Sequence, residues 1–311
     1  MDQMQVLFLG TGAAIPSPQR SLPSLALLFD GEVVLCDCCE GTQMRLQQAG
    51  ISAARISHIF ISHLHGDHIF GLPGLITSQH LLKRSEPLYV YGPAALATFL
   101  QTVQEVTQHH LSYPLIIKKW PLSEGESLAL PRFSVTALPL EHSQPCYGFR
   151  FTEPDRPGAF DAERAQALAI PATAVRTALI QGQSISIDGQ WISPEQVVGP
   201  LRKGRSIAYC TDTRPCSNAV VLAQEADVLI HESTFHPKHA ELARETGHST
   251  CIEAAEVARQ AGCRRLFLYH ISGRLQKNEE AEMLQMARAI FPATDLPEEL
   301  LRCSIEHRQG V

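Results

Sequence analysis

Phe60-Ile61-Ser62-His63-Leu64-His65-Gly66-Asp67-His68 is the stretch that decides the reading of this chain. The apolar run His58–Ser62 reads as a buried strand delivering the chain into a tight loop, and four of the six residues from His63 to His68 can bind a metal. His63 and His65 sit two apart, so both imidazoles can point at one ion. Asp67 and His68 then face a neighbouring ion, with Gly66 easing the turn between the pairs. Neutral imidazole and carboxylate suit Zn²⁺ at about 2.0–2.2 Å, and they also accept Mn²⁺ or iron, so ligand type does not choose the metal. Taken alone, the stretch also reads as a histidine-rich surface loop.

Outward from it, short apolar runs alternate with longer amphipathic stretches, the pattern of a mixed α/β chain. Strands are expected at Gln5–Leu9, Leu25–Phe29, Glu32–Cys36, Leu88–Tyr91, Leu115–Trp120, Phe133–Leu138, Tyr147–Phe151, Ser206–Cys210, Val228–Ile230 and Arg265–Tyr269. Asp30-Gly31 between the second and third is a two-residue hairpin signal. Helices are expected at Thr42–Gln48, Leu72–Leu82, Ala94–Gln108, Thr250–Ala261 and Glu279–Phe291, with Thr250 and Glu253 forming a capping-box pattern. His142, Asp212, His231 and His270 each follow one of the strand-like runs, where side chains from successive strand ends converge. A single histidine there is ordinarily structural; several arriving together after the His63–His68 segment reverse that reading. Glu153–Pro200 differs from its surroundings: it is rich in Pro and Gly, has no long apolar run and carries an Asp188-Gly189 turn. It reads as an insertion projecting from the fold, not as a separate core.

At 311 residues, with 44% hydrophobic and 19% charged residues, the chain has the composition of a soluble globular protein. No apolar run reaches the roughly 20 residues of a membrane helix, and the start, MDQMQVLFLGTG, has no basic region of the kind that opens a signal peptide. Nine cysteines, scattered and odd in number, fit reduced thiols in a cytoplasmic protein. Cys36, Cys38 and Cys39 lack a second pair to complete a metal site and read as buried thiols. His80, His109, His110, His236, His239 and His307 lack the context of the strand-end residues and read as surface groups. A net charge of −6 weighs against a general nucleic-acid binder but leaves room for local basic patches such as Lys83-Arg84, Lys118-Lys119 and Arg202-Lys203 with Arg205.

The set His63-x-His65-x-Asp67-His68, His142, Asp212 and His270 resembles the metal-ligand set of the metallo-β-lactamase superfamily. Further segments resemble its ribonuclease Z family: Phe8-Leu-Gly-Thr-Gly12, Asp37 with Glu40-Gly-Thr-Gln43, Gly71-Leu-Pro-Gly74, His231-Glu-Ser-Thr234, His248-Ser-Thr250 and His270-Ile-Ser-Gly-Arg274. The resemblance implies a four-layer αββα sandwich formed by one domain over residues 1–311, with a flexible arm inserted at 153–203 as a candidate tRNA-binding exosite. It implies two zinc ions per subunit, one held by His63, His65 and His142, the other by Asp67, His68 and His270, with Asp212 bridging. It further implies that Asp67 accepts a proton, that His248 aided by Glu232 protonates the leaving 3′ oxygen, and that Arg274 pairs with a phosphate. Asp37 is expected to orient a ligand histidine, and His231 to lie beside the ligands and not among them. The activity so implied is endonucleolytic removal of the 3′ trailer from precursor tRNA by a cytoplasmic homodimer.

Two segments depart from that family. The loop Pro16-Ser-Pro-Gln-Arg20-Ser21 keeps an arginine but lacks the family's Lys and Asn. The arm segment Ile170–Gly182 holds Arg176 as its one basic residue, while Asp155, Asp161, Glu163 and Asp188 make the arm acidic. Arg20 and Arg176 are the substrate contacts expected there. An acidic arm admits an alternative, a zinc phosphodiesterase acting on small or cyclic phosphodiesters. A further alternative is a non-catalytic RNA-binding or scaffold protein, against which the complete ligand set argues.

Overall fold

The computed structural model describes residues 4–108, 110–120, 127–171 and 174–308; of the surface histidines expected above, His109 lies outside them. Two compact units emerge, one formed by the chain up to Thr152 together with Ser206–Glu306, the other by Glu153–Arg205 and the stretch from His307.

The first unit contains two seven-stranded sheets. In spatial order the first runs Arg302–Ser304, Met4–Gly10, Ser24–Phe29, Glu32–Cys36, Ile56–Phe60, Leu88–Gly92 and Leu115–Lys119. The second runs Thr294–Asp295, Leu266–Tyr269, Val228–Glu232, Ser206–Cys210, Cys146–Thr152, Ser134–Leu140 and Ser127–Ala129. Strand side chains alternate between faces, and here both faces are apolar. Val6, Phe8, Leu25, Leu27 and Phe60 of the first sheet pack with Phe149, Phe151, Ile207, Tyr209 and Phe267 of the second. The alternate residues Leu7, Leu9, Leu35 and Ile59 pack against Leu46, Leu72, Leu75, Leu96 and Leu100 of the helices Thr42–Gln48, Leu72–Leu81 and Ala95–Thr107. Ala208, Leu229 and Leu268 pack likewise against Leu222, Ala254, Ala258, Met283 and Ala287 of the helices Ser217–Ala223, Cys251–Ala261 and Lys277–Ile290. Helix, sheet, sheet, helix is therefore the layer order, and the expected sandwich is what the chain forms.

Asp30 and Gly31 have φ of 41° and 96°, the two left-handed residues a tight hairpin turn requires. Thr250 and Glu253 close the capping box before Cys251–Ala261. The strand expected at His58–Ser62 lies two residues earlier, at Ile56–Phe60, because its parallel pairing with Glu32–Cys36 ends at Cys36↔Phe60. Ser134–Leu140 runs through Pro139 because the neighbour Ser127–Ala129 pairs only as far as Thr136, so no partner needs the proline's missing N–H.

The second unit corrects the reading of its sequence as lacking a core. Helices Ala162–Ala167 and Ala174–Ile180 and the hairpin Ile185–Ile187/Gln190–Ile192 bring Ala165, Ile170, Leu179, Ile192 and Val197 into a small apolar cluster. Four of the five have apolar neighbours, as Ile170 after Ala167-Leu168-Ala169 and Val197 before Val198, but these runs are too short to announce a core by themselves. Its two legs meet through paired Arg156 and Arg202 and paired Phe160 and Val198. Gly158 permits this approach, since a Cβ there would lie 2.0 Å from the Gly199 carbonyl oxygen. Arg205 grips buried Glu153 through two N–H groups at 2.7 Å each.

Candidate metal centre

Parallel strands put their carboxyl ends on one rim, where α/β proteins gather ligands. Asp37 follows Cys36, His63–His68 follow Phe60, Asp212 follows Cys210, Glu232 ends its own strand and His270 follows Tyr269. His142 joins them from the turn between Leu140 and Cys146. Two of these residues carry left-handed backbone, Asp37 at φ 58° and His270 at φ 58°. That conformation costs a non-glycine residue about 1–2 kcal/mol, which the surrounding contacts offset.

The segment expected as a tight loop is in part a helix: Gly66–Ile69 form one turn with His65 at its N-cap. His63 Nε2 and His65 Nδ1 are 3.0 Å apart, and His142 Nε2 is 3.3 Å from the same His65 atom. Asp212 Oδ2 stands 3.5 Å from His63 Nε2 and 3.8 Å from His142 Nε2. Its other oxygen, Oδ1, lies 3.4 Å from His68 Nε2 and 3.2 Å from His270 Nε2. Asp67 Oδ2 completes this second group at 3.7 and 3.6 Å from the same two nitrogens. Atoms sharing a tetrahedral ion at about 2.0–2.2 Å stand roughly 3.3–3.6 Å apart, so both groups have the spacing of ligand sets. The buried Nε2 atoms of His68 and His270 have no hydrogen-bond partner, and an orphaned buried polar atom is costly unless something coordinates it. The donor set therefore fits divalent metal.

The far sides of His68, His142 and His270 are fixed. Buried Asp37 accepts from Ser62 N at 2.7 Å, from Ser62 Oγ at 2.9 Å and from Tyr209 OH at 2.8 Å, and it holds His68 Nδ1 at 2.8 Å. This is the orienting role expected of it. His142 Nδ1 donates to the Gly247 carbonyl at 2.8 Å. His270 Nδ1 meets Thr234 Oγ1 at 2.8 Å, and that hydroxyl donates to Glu232 Oε2 at 2.7 Å. Glu232 Oε1 in turn lies 2.8 Å from His248 Nδ1 and accepts from Thr213 N at 2.9 Å. Thr234 and Tyr209 are supporting residues to which the sequence assigns no role. The signal for Thr234 lay inside the quoted His231–Thr234 segment; Tyr209 is an inward strand residue like any other.

Burial pushes His63 well below the usual histidine range and lowers His65 and His142, so these imidazoles are neutral, as a metal ligand must be. Burial also works against the His68 cation and the Asp67 anion. The carboxylates of Asp212 and Asp37 overcome it and hold His68 well above its usual range, while His270 and His68 overcome it and hold Asp67 well below. His248 is likewise opposed by burial, yet the Glu232 charge and hydrogen bond push it up to about 9. Burial raises Cys36 and Cys38 well above the thiol range and Cys39 to about 12, so these thiols are neutral.

His231 is buried beside the ligands and donates from Nδ1 to the Glu232 carbonyl at 2.7 Å. His236, expected at the surface, is buried, with its Nε2 3.5 Å from Glu282. Arg274 is exposed after the His270 turn. Arg20 and Arg176, expected to meet RNA, are both engaged within the protein. Arg20 forks onto Glu280 at 3.0 and 2.9 Å and also reaches Thr11. Arg176 donates to the Ile170 carbonyl at 3.2 Å and covers the Phe160 ring at 5.5 Å. Among the described residues no helix is long and apolar enough to cross a membrane.

Residues 159–271 match the model of the beta-lactamase superfamily domain, and residues 4–160 match that of the anti-Pycsar protein Apyc1. Ribonuclease Z of Bacillus licheniformis is 44% identical over 295 residues, covering 94% of this chain and 95% of its own. Ribonuclease Z of Acaryochloris marina is 42% identical over 98% of both chains. The crystal structure of human tRNase Z, short form, superposes with a TM-score of 0.72 at 30% identity, covering 97% of this chain and 100% of its own.

Proposed function

The chain belongs to the ribonuclease Z family and is a metal-dependent, tRNA 3′-processing endoribonuclease of the metallo-β-lactamase fold, and from that premise we propose how its residues divide the work. His63, His65 and His142 would hold one zinc ion and Asp67, His68 and His270 the other, with Asp212 shared between the two groups. When bound, such a pair supplies Lewis acidity that activates water and offsets phosphate charge. Asp67, anchored through Oδ2 by the Ala14 N–H at 2.9 Å, accepts the proton that the attacking water loses. His248 is protonated at neutral pH, stacks beside His270 with ring centroids 5.5 Å apart, and gives its proton to the leaving 3′ oxygen. Glu232 holds His248 in its charged form and, through Thr234, fixes the tautomer of His270. Arg274, exposed on the same turn, pairs with a phosphate oxygen.

The observation that carries this reading is the division of Asp212, whose two oxygens face two separate ligand groups 3.2–3.8 Å away. Elemental analysis of protein purified without chelator tests it: two zinc ions per chain are expected, and one ion with all seven ligands intact overturns the paired site. The substrate of this reading is precursor tRNA, and its assembly is a homodimer. Cleavage of a trailer-bearing tRNA against a small chromogenic phosphodiester checks the first, and light scattering the second. A single-chain mass removes the dimer from the reading without touching the chemistry.

A further inference from the structure

We propose that Phe70 is a stacking platform for a nucleobase next to the scissile phosphodiester, and that Gly66 is the seat that holds its ring in place. This deepens the functional reading above and rests on it, because it takes single-stranded RNA as the ligand.

The geometry begins in the metal-binding helical turn. Phe70 closes Gly66–Ile69, its N–H donating to the Gly66 carbonyl at 3.0 Å. Residues four apart on a helix share a face, and the ring folds back onto Gly66. A Cβ at residue 66 would lie 2.2 Å from Phe70 Cε2 and 2.6 Å from Cζ. Gly66 is not among the residues with positive φ, so its backbone does not require glycine. The sequence expectation that Gly66 eases the turn is corrected accordingly: what glycine provides is room for the Phe70 ring.

One side of that ring is seated on the backbone, yet Phe70 remains 64% exposed. Among the described residues the other exposed large aromatic is Trp191, in the second unit. Phe70 stands within one helical turn of Asp67 and His68. The Ala14 N–H donates to the Asp67 carboxylate, and the next residue, Ile15, is 74% exposed. The ligand cluster thus offers charge to a phosphate, and Phe70, one helical turn from Asp67 and His68, offers an exposed flat ring. Charge next to a seated aromatic suits a nucleotide of unpaired RNA, whose phosphate and base need the two separately. A solvent-facing ring with no such partner would only expose apolar area to water.

The test uses the full-length, zinc-loaded protein and three trailer-bearing precursor tRNAs, one intact and two made abasic on either side of the scissile bond. Phe70→Ala is expected to lower kcat/KM on the intact RNA by roughly 5- to 150-fold, the range for losing one base–aromatic stack. It should cost nothing further on one of the abasic RNAs, and Phe70→Trp should restore the intact rate. Phe70→Leu, which keeps an apolar cover over Gly66 without a π face, decides the matter if Phe70→Ala loses zinc or unfolds. Metal content and melting temperature are read for every variant. Equal losses on all three RNAs, or none on the intact one, overturn the platform while leaving the endonuclease reading in place. A parental enzyme inert on intact precursor tRNA overturns that reading, and the platform with it.

Discussion

The rim of strand ends and the unit at Glu153–Arg205 are built from the same kinds of side chain and use them oppositely. At the rim, Asp37, Thr234, Glu232 and the Gly247 carbonyl bind the far side of His68, His270, His248 and His142, so each imidazole keeps its other nitrogen turned inward. In the second unit charged side chains engage the unit's own backbone. Asp161 caps a helix by accepting from Arg164 N, Asp155 accepts from Gly204 N, and Arg202 donates to the Pro157 carbonyl. A titratable residue discloses a reactive site only where the fold makes several converge with one face left free. Glu153–Arg205 holds six Asp or Glu and six Lys or Arg, so the unit as a whole is not the acidic surface that Asp155, Asp161, Glu163 and Asp188 suggest by themselves.

The sharpest way to break the comparison is to strike the rim at a residue with two uses. Asp67→Ala removes a ligand and the proton acceptor together. It should abolish hydrolysis of precursor tRNA and of a small chromogenic phosphodiester alike, with zinc content falling below two per chain. Retained cleavage of either substrate would show that the reaction does not pass through this cluster.

One step weaker, His248→Ala should leave both ions bound and lower kcat by about 10²–10⁴-fold, the usual worth of a general acid. Glu232→Gln tests the same proton more finely. Glu232 raises the His248 pKa, and a general acid acts only while protonated, so activity is lost as pH rises through that pKa. Removing the Glu232 charge lowers it, and the alkaline limb of the kcat profile should move to lower pH. A limb that stays in place, or moves up, would detach His248 from the leaving oxygen.

Much of the rim was legible in the sequence because its ligands lie next to strand ends, and apolar runs mark strand ends well. The Asp30-Gly31 hairpin and the Thr250–Glu253 cap were legible for a similar reason, since each is fixed by residues a few positions apart. What escaped depends on distant partners. Strand Arg302–Ser304 is too short to show a period and exists because it pairs with Met4–Gly10. Thr234 gains its role from His270, 36 residues away, and Tyr209 from Asp37, 172 residues away. The core of the second unit escaped because its residues come from two helices and a hairpin whose packing no local run announces, and nothing local names Glu280 or the Ile170 carbonyl as partners of Arg20 and Arg176.

Replacing 159–198 by a short Gly-Ser turn asks how far the two regions are independent. All five buried members of the small apolar cluster lie inside the deletion, so no apolar surface from it is left behind. The Arg156–Arg202 pairing and the Arg205–Glu153 grip lie outside it. Loop closure depends weakly on length, about 0.6 kcal/mol per doubling, so melting should shift little. Cleavage of the small phosphodiester should persist while kcat/KM on precursor tRNA drops, because a long substrate needs a second contact to hold its register. Equal losses on both substrates would assign the segment to folding or assembly.

The smallest effects separate two arginines of that segment. Arg176 spends its guanidinium on the Ile170 carbonyl and the Phe160 ring, and its Nε is buried without a hydrogen-bond partner. Arg176→Ala gives up a charged hydrogen bond and a cation–π contact, together worth a few kcal/mol at most. It also removes an unsatisfied buried donor, which offsets part of that loss. The net cost, about 1 kcal/mol, falls on the second unit alone, and faster amide exchange or proteolysis between Phe160 and Val198 would reveal it. The salt dependence of tRNA binding should not change. Arg164 is exposed on the helix Ala162–Ala167, and only its backbone N–H is used by the Asp161 cap. Arg164→Ala should leave exchange unaltered and, if this helix meets the phosphate backbone, flatten the salt dependence by about one charge. The opposite pattern, a flattened slope for Arg176→Ala with exchange unchanged, would mean that the guanidinium leaves Phe160 to meet RNA, and that the unit's internal bonds are exchanged on binding for contacts to the substrate.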